Sequence, residues 1–354
     1  MRVWTILLSC LWSLATIANV LADVPTGNDE EIIVTAARTP IPKRQAGPGV
    51  TVITREMIAA RNPQYVAELL RDVPGFAVSR LGGVGKQTQL RVRGSEANHV
   101  LVLIDGIEAN DFTQDDAFDF AHLQANEIER IEIIRGPQSA LWGSDALAGT
   151  INIITREADK PVTARGGVEF GSFDTRTTSA NIGTRQANYH SNIGLSYVDS
   201  GGINVARRGN EDDGYRNGTA NARFGWRPRD DLSLEFTGRI VEAENERDGG
   251  FPLPSDTPAE TDVFQAYTSA NVRWTGWDGH WVNTATGTFS RFDNHDVDPI
   301  EFLDTRAQGS KYRGTLQSSV NLTSDFISAE THVFTVAFDY EKQDFKQRAP
   351  VVFG

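Results

Sequence analysis

The chain has 354 residues, 39 % of them hydrophobic and 23 % charged, with 32 Gly, 14 Pro and one Cys. A formal charge of −13 lacks the basic footprint of a nucleic-acid-binding protein, and one Cys excludes a disulfide scaffold or a multi-Cys zinc module. Beyond the N-terminus no segment approaches the ~20 apolar residues of a membrane helix, and plentiful Gly favours strands and turns.

Residues 1–22 read as a signal peptide. Arg2 supplies the positive start, Val3 to Leu21 is apolar or small, and Val20-Leu21-Ala22 has the form of a cleavage site. An anchoring helix is the competing reading, and Asn19 interrupts it. Cleavage removes Cys10, so the exported chain does not depend on disulfides. Residues 23–49 are a polar lead and a linker, with Pro40, Pro42 and Pro48 in the second half. Between them Ile32-Ile33-Val34-Thr35-Ala36 is a β-prone island without a nearby partner, which reads as a strand awaiting one.

Residues 50–156 have the pattern of an α+β domain. Val50 to Ile53 predicts a strand, and Thr54 caps a helix over Arg55 to Ala60. Asn62-Pro63 reads as the start of a second helix carrying Val66, Leu69 and Leu70, stopped by Pro74-Gly75. Gln89 to Arg93, Val100 to Ile104, Arg130 to Ile134 and Ile151 to Thr155 read as strands, with a tight turn at Asp105-Gly106.

Residues 163–354 change texture. Alternating segments at 163–173, 175–186, 188–198, 218–227, 231–242, 262–276, 280–292, 310–322 and 331–342 predict strands. In the fifth, Leu232, Leu234, Phe236 and Ile240 share one face, and Ser233, Glu235, Thr237 and Arg239 the other. Short turns alternate with long polar connections at 199–217, 243–261 and 293–309, and Trp226, Trp274, Trp277 and Trp281 lie near the short turns. This is the pattern of a transmembrane β-barrel with an interfacial aromatic girdle; a soluble β-sandwich shares only the alternation.

Catalytic motifs are missing. Gly82-Gly83-Val84-Gly85-Lys86 fails as a phosphate loop, because Arg80 and Gln87 stand where Gly and Ser or Thr are needed, and it reads as a flexible loop. The six His have no metal-ligand spacing, and no Ser/His/Asp elbow is present. The chain is not read as an enzyme and needs no cofactor. Two acidic stretches, Glu211-Asp212-Asp213 and Glu242 to Asp248, concentrate carboxylates on the long-loop side. Glu211, Asp213 and Asp248 are candidate calcium ligands there; a solvated anionic loop is the other reading, and the spacing is not that of an EF-hand.

Several ordered motifs resemble the TonB-dependent outer-membrane receptors. Glu31 to Ala37 is similar to their TonB box. Gln89-Leu90-Arg91-Val92-Arg93-Gly94, Val102-Leu103-Ile104-Asp105-Gly106, Ile131 to Pro137 and Ile151 to Thr155 are similar to their plug domain. Ile107 to Asp111 and Ser139 to Ala146 look most like the cobalamin receptors. The resemblance implies an α+β plug followed by an antiparallel transmembrane β-barrel in the cell outer membrane, its outer face against lipid. It implies that Ile32, Ile33, Val34, Thr35 and Ala36 add as a strand to the periplasmic domain of TonB. It also implies that Arg91, Arg93, Arg130, Glu132 and Arg135 face a polar barrel wall. A small-molecule ligand, cobalamin or a metal chelate such as a ferric siderophore, is expected on the apices at 79–88 and 107–118, with Arg80, Gln87, Asn110 and Asp111 as contacts.

The length conflicts with a closed receptor barrel. Nine strands are an odd number, and about eight strands enclose only their own side chains. The expectation is therefore an incomplete barrel, lacking more than half of its strands, from an N-terminal fragment or truncated product. A signalling receptor is excluded, since it needs a domain between the signal peptide and the island; a surface receptor without transport leaves the island unused.

Overall fold

A computed structural model describes residues 32–33, 41–42, 49–143, 145–204, 206, 212–249, 255–300, 302–323 and 331–349. The signal-peptide reading, Val34, Thr35, Ala36 and Glu211 lie outside the described residues. β1 (Ile32–Ile33) pairs antiparallel with β2 (Ile41–Pro42), Ile33 opposite Ile41. The island thus has a partner inside the stretch read as a linker.

β3 (Val50–Ile53) leads into α1 (Arg55–Arg61), where the Thr54 hydroxyl accepts from the Met57 N–H at 3.5 Å. Asn62 ends α1 in the left-handed region (φ 45°) instead of opening the next helix. α2 (Val66–Leu70) is preceded by Tyr65, whose N–H donates to the Glu68 carboxylate at 3.2 Å. β4 (Phe76–Arg80) forms a hairpin with β5 (Thr88–Val92); β4 was not evident in the sequence. β6 (Val100–Ile104), buried at every position, turns into β7 (Ile107–Glu108). β8 (Ile128–Arg135), the short α3 (Ser139–Trp142) and β9 (Gly149–Thr155) complete the plug. Its main sheet has the order β3-β8-β9-β6-β7, with only β6 and β9 parallel. A Cβ on Gly149 would sit 2.5 Å from the Ile134 carbonyl oxygen, so glycine is what lets β9 close on β8.

The second body is one meander of nine antiparallel strands, each paired with the next in sequence. These are β10 (Thr163–Phe170), β11 (Arg176–Arg185), β12 (Tyr189–Ile203), β13 (Asp213–Arg229), β14 (Leu232–Gly249), β15 (Ser255–Gly276), β16 (Trp281–Asp298), β17 (Leu303–Thr323) and β18 (Thr331–Arg348). The sheet is unclosed, with β10 and β18 at its edges. The expected long connections are largely strand: β12 runs on to Ile203, β14 to Gly249 and β16 to Asp298. Their charges pair across the ladder, Arg216 with Glu244 at 2.8 Å and Arg306 with Asp293 at 2.7 Å, so a charged stretch that looks like loop is a hairpin reaching past the membrane. A membrane crossing needs only about 9–11 strand residues.

The alternation is inside out relative to a soluble protein. On β14, Phe236 and Ile240 are 46 % and 44 % exposed, while Thr237 and Arg239 between them are 6 % and 4 % exposed. The apolar row faces outward and the polar row faces the plug, as lipid outside and a wet lumen inside require. At the short-turn end Trp274, Trp277 and Trp281 cluster, with Trp274 and Trp281 ring centres 5.2 Å apart and the Trp274 indole donating to Asp231 at 3.1 Å.

Candidate functional site: the plug seat and its apical loops

Three plug carboxylates hold the seat. Asp105, in the turn after β6, pairs with Arg223 of β13 and accepts from the Thr155 hydroxyl at 2.6 Å. Glu127, ahead of β8, pairs with Arg239 of β14 and accepts from the Ser196 hydroxyl of β12. Glu108 of β7 meets Lys311 and, at 3.5 Å, Arg313 of β17. Each time the acid is on the plug and the base on the wall. All three carboxylates are buried, so each pair has left water and depends on its partner.

The charged rows expected to face the wall are used otherwise. Arg130 pairs with its neighbour Glu132 at 2.9 Å, Arg91 donates to Gln89 at 3.1 Å, and Arg135 donates to Thr51 and to the Pro74 carbonyl. Alternation identified a polar strand face but not its partner. The residues that do reach the wall sit in turns and at strand ends, where no period marks them; Asp105 read only as a turn residue.

The glycine-rich segment is docked as well. Gly85 (φ 79°) lies flat on Tyr215 of β13, where a Cβ would come 2.0 Å from the ring, and its carbonyl accepts from Asn245 at 3.1 Å. Lys86 is buried, donates to the Glu246 carbonyl and faces Asp213 at 3.8 Å. Burial lowers its ammonium pKa, while Asp213, Asp248 and Glu246 oppose that shift. The acidic loop residues Asp213 and Asp248 therefore face a lysine. Among the described residues no group of three or more His, Cys, Asp or Glu is placed to hold a metal ion. Beside this contact, His122 Nδ1 lies 2.9 Å from the Tyr215 hydroxyl and Gln124 donates to Asn217 at 2.9 Å.

The four residues expected at the ligand separate into two pairs. Arg80, at the end of β4, is half-buried with its guanidinium 5.9 Å over the Tyr65 ring, and Gln87 is exposed beside it. Asn110 and Asp111 are enclosed. The Asn110 amide donates to the Val100 and Asp116 carbonyls at 3.1 and 2.9 Å, and its oxygen accepts from the Val102 N–H at 2.8 Å. Asp111 accepts from Thr113 at 2.7 Å and from Asn294 of β16 at 2.7 Å, while burial raises its pKa. Phe112 then packs edge-on to Phe292, which meets Tyr267 the same way. The second apex is thus fastened to the wall, and the open surface lies at Arg80, Leu81 and Gln87.

The TonB-dependent Receptor Plug Domain family matches residues 42–150. The chain is 33 % identical over 256 residues, 71 % of its length, to the vitamin B12 transporter BtuB of Photobacterium profundum, and spans 41 % of that relative. In fold it is similar to the ferripyoverdine receptor of the outer membrane of Pseudomonas aeruginosa, with a TM-score of 0.72 and 14 % identity, covering 90 % of this chain and 45 % of the receptor. It is likewise similar to the alcaligin outer membrane receptor FauA of Bordetella pertussis, with a TM-score of 0.70 and 16 % identity, covering 90 % and 51 %.

Proposed function

We propose that this chain, a TonB-dependent receptor plug domain at residues 42–150 seated on nine strands of a receptor barrel in the outer membrane, serves TonB-coupled uptake of a large scarce ligand, cobalamin first. The observation that carries the substrate is the 33 % identity to a vitamin B12 transporter over 71 % of this chain. The siderophore receptors share the fold at 14–16 % identity, so a ferric chelate is the second reading. Ligand meets Arg80 and Gln87 from outside, with Asn110 and Asp111 behind them holding the neighbouring apex. Ile32 to Ala36 is the segment that pairs with TonB on the periplasmic side, and the linker carries the pull to β3. Uptake needs that pull because the seat is closed by buried ion pairs that do not open by themselves. A surface receptor without transport has no use for the island. Labelled cobalamin and labelled ferric siderophores offered to cells carrying the receptor decide the substrate. Energy-dependent accumulation of cobalamin is expected, and accumulation of a siderophore alone would reject it.

A further inference from the structure

The loop between β4 and β5 closes where the Leu81 N–H donates to the Gln87 carbonyl at 3.1 Å, next to the Arg80–Thr88 pair. Gln87 is exposed between Lys86 and Thr88, which are both buried. Thr88 ties the loop to the plug: its N–H donates to Asp119 at 2.8 Å and its hydroxyl to the Lys86 carbonyl at 2.9 Å. Lys86 ties it to the wall. Its ammonium donates to the Glu246 carbonyl of β14 and faces Asp213 of β13 at 3.8 Å. The Glu246 carboxylate accepts from the Gly214 N–H at 2.9 Å, so both strands of the hairpin build the socket. The Asp248 carboxylate adds its field, and its Oδ2 has no hydrogen-bond partner. Beside the socket, Tyr65 and Val84 of the plug pack with Val198, Tyr215, Ala243 and Val263 of the wall, in a cluster separate from the plug core. Arg80 lies over the Tyr65 ring of that cluster. A buried ammonium costs desolvation that an apolar side chain of the same length would avoid. What it adds is directed contact, which fixes one arrangement of the loop against the wall.

We propose that Lys86 is a positioning residue for the ligand surface: seated between β13 and β14, it holds the 81–87 loop so that Arg80 and Gln87 are presented in one fixed arrangement. The inference rests on the reading that ligand meets Arg80 and Gln87. Lys86 is buried and acts through its neighbours: Gln87 follows it in the chain, and the Leu81–Gln87 hydrogen bond passes the constraint to Arg80. A loop held beforehand in its binding arrangement spares the ligand the cost of ordering it.

A spin label at Gln87→Cys, in a Cys10→Ser chain purified in detergent, tests this, with a label at the exposed Met57→Cys on α1 as control. Lys86→Met keeps the length of the side chain and removes its charge. It should sharpen the spectrum of the label at 87 and leave that of the label at 57 unchanged. Sharpening at neither label overturns the positioning role. Sharpening at both is a general loosening and overturns it as well. Without labels, Lys86→Met should weaken cyanocobalamin binding at least about fivefold, the cost of ordering two long side chains afresh. Equal affinity in the parent and Lys86→Met, with the label at 87 loosened, overturns the consequence for ligand. A parent that binds no cyanocobalamin rejects the cobalamin reading, while the label spectra still decide the role of Lys86.

Discussion

At the scale of single residues the account rests on buried charge. Glu127 is 5 % exposed and Arg239 4 %, so removing one partner strands the other. Arg239→Gln should lower the stability of the detergent-solubilised chain by on the order of 3–5 kcal/mol in denaturant unfolding. The double change with Glu127→Gln should recover most of that loss; a double variant as unstable as the single would deny the pairing. His122 tests the same seat by titration. Burial lowers its pKa from 6.5, against the pull of Asp119, so it is seated neutral beside the Tyr215 hydroxyl. A group whose folded pKa is depressed contributes full stability above its unfolded pKa. That contribution is lost as pH falls from about 6.5 through the folded value. Unfolding between pH 7.5 and 5.5 should show this decline, and His122→Gln should flatten it.

At the scale of elements the strands were legible and their lengths were not. All nine barrel segments were visible from alternation, because a wall with lipid on one side and water on the other imposes a strict period of two. Their upper halves were hidden, since β16 and β17 carry Asp293, His295, Asp304 and Arg306, which look like loop until the ladder pairs them. Those exposed pairs add little energy: Arg306→Ala should cost less than about 1 kcal/mol and leave the hairpin intact by circular dichroism. The glycine-rich segment is the opposite case. Three glycines suggested freedom, whereas the structure uses Gly85 to bring backbone against Tyr215. Gly85→Ala should lift the segment and make Lys86 accessible to trypsin, while unchanged protection would contradict the docking.

At the scale of the whole molecule the plug was readable because its motifs are local: an apolar run ending in Asp105-Gly106, and the Ile131 to Pro137 strand and turn. The seat was not readable, because each of its ion pairs joins residues more than a hundred positions apart, such as Asp105 to Arg223 and Glu108 to Lys311. Nothing in the spacing of a lone acid announces a partner on a strand that far away. Asn110 looked like a ligand contact for a different reason, since its partners lie only six to ten positions away but are backbone groups with no side-chain signature. Its amide serves the Val100, Val102 and Asp116 backbone, a task visible only after folding.

The central proposal is that the segment Ile32 to Ala36 couples this plug to an energy source. Its most direct test is uptake of labelled cobalamin by cells whose receptor lacks Ile32 to Ala36. Surface binding should persist while accumulation is lost. Undiminished accumulation with normal binding would contradict the account.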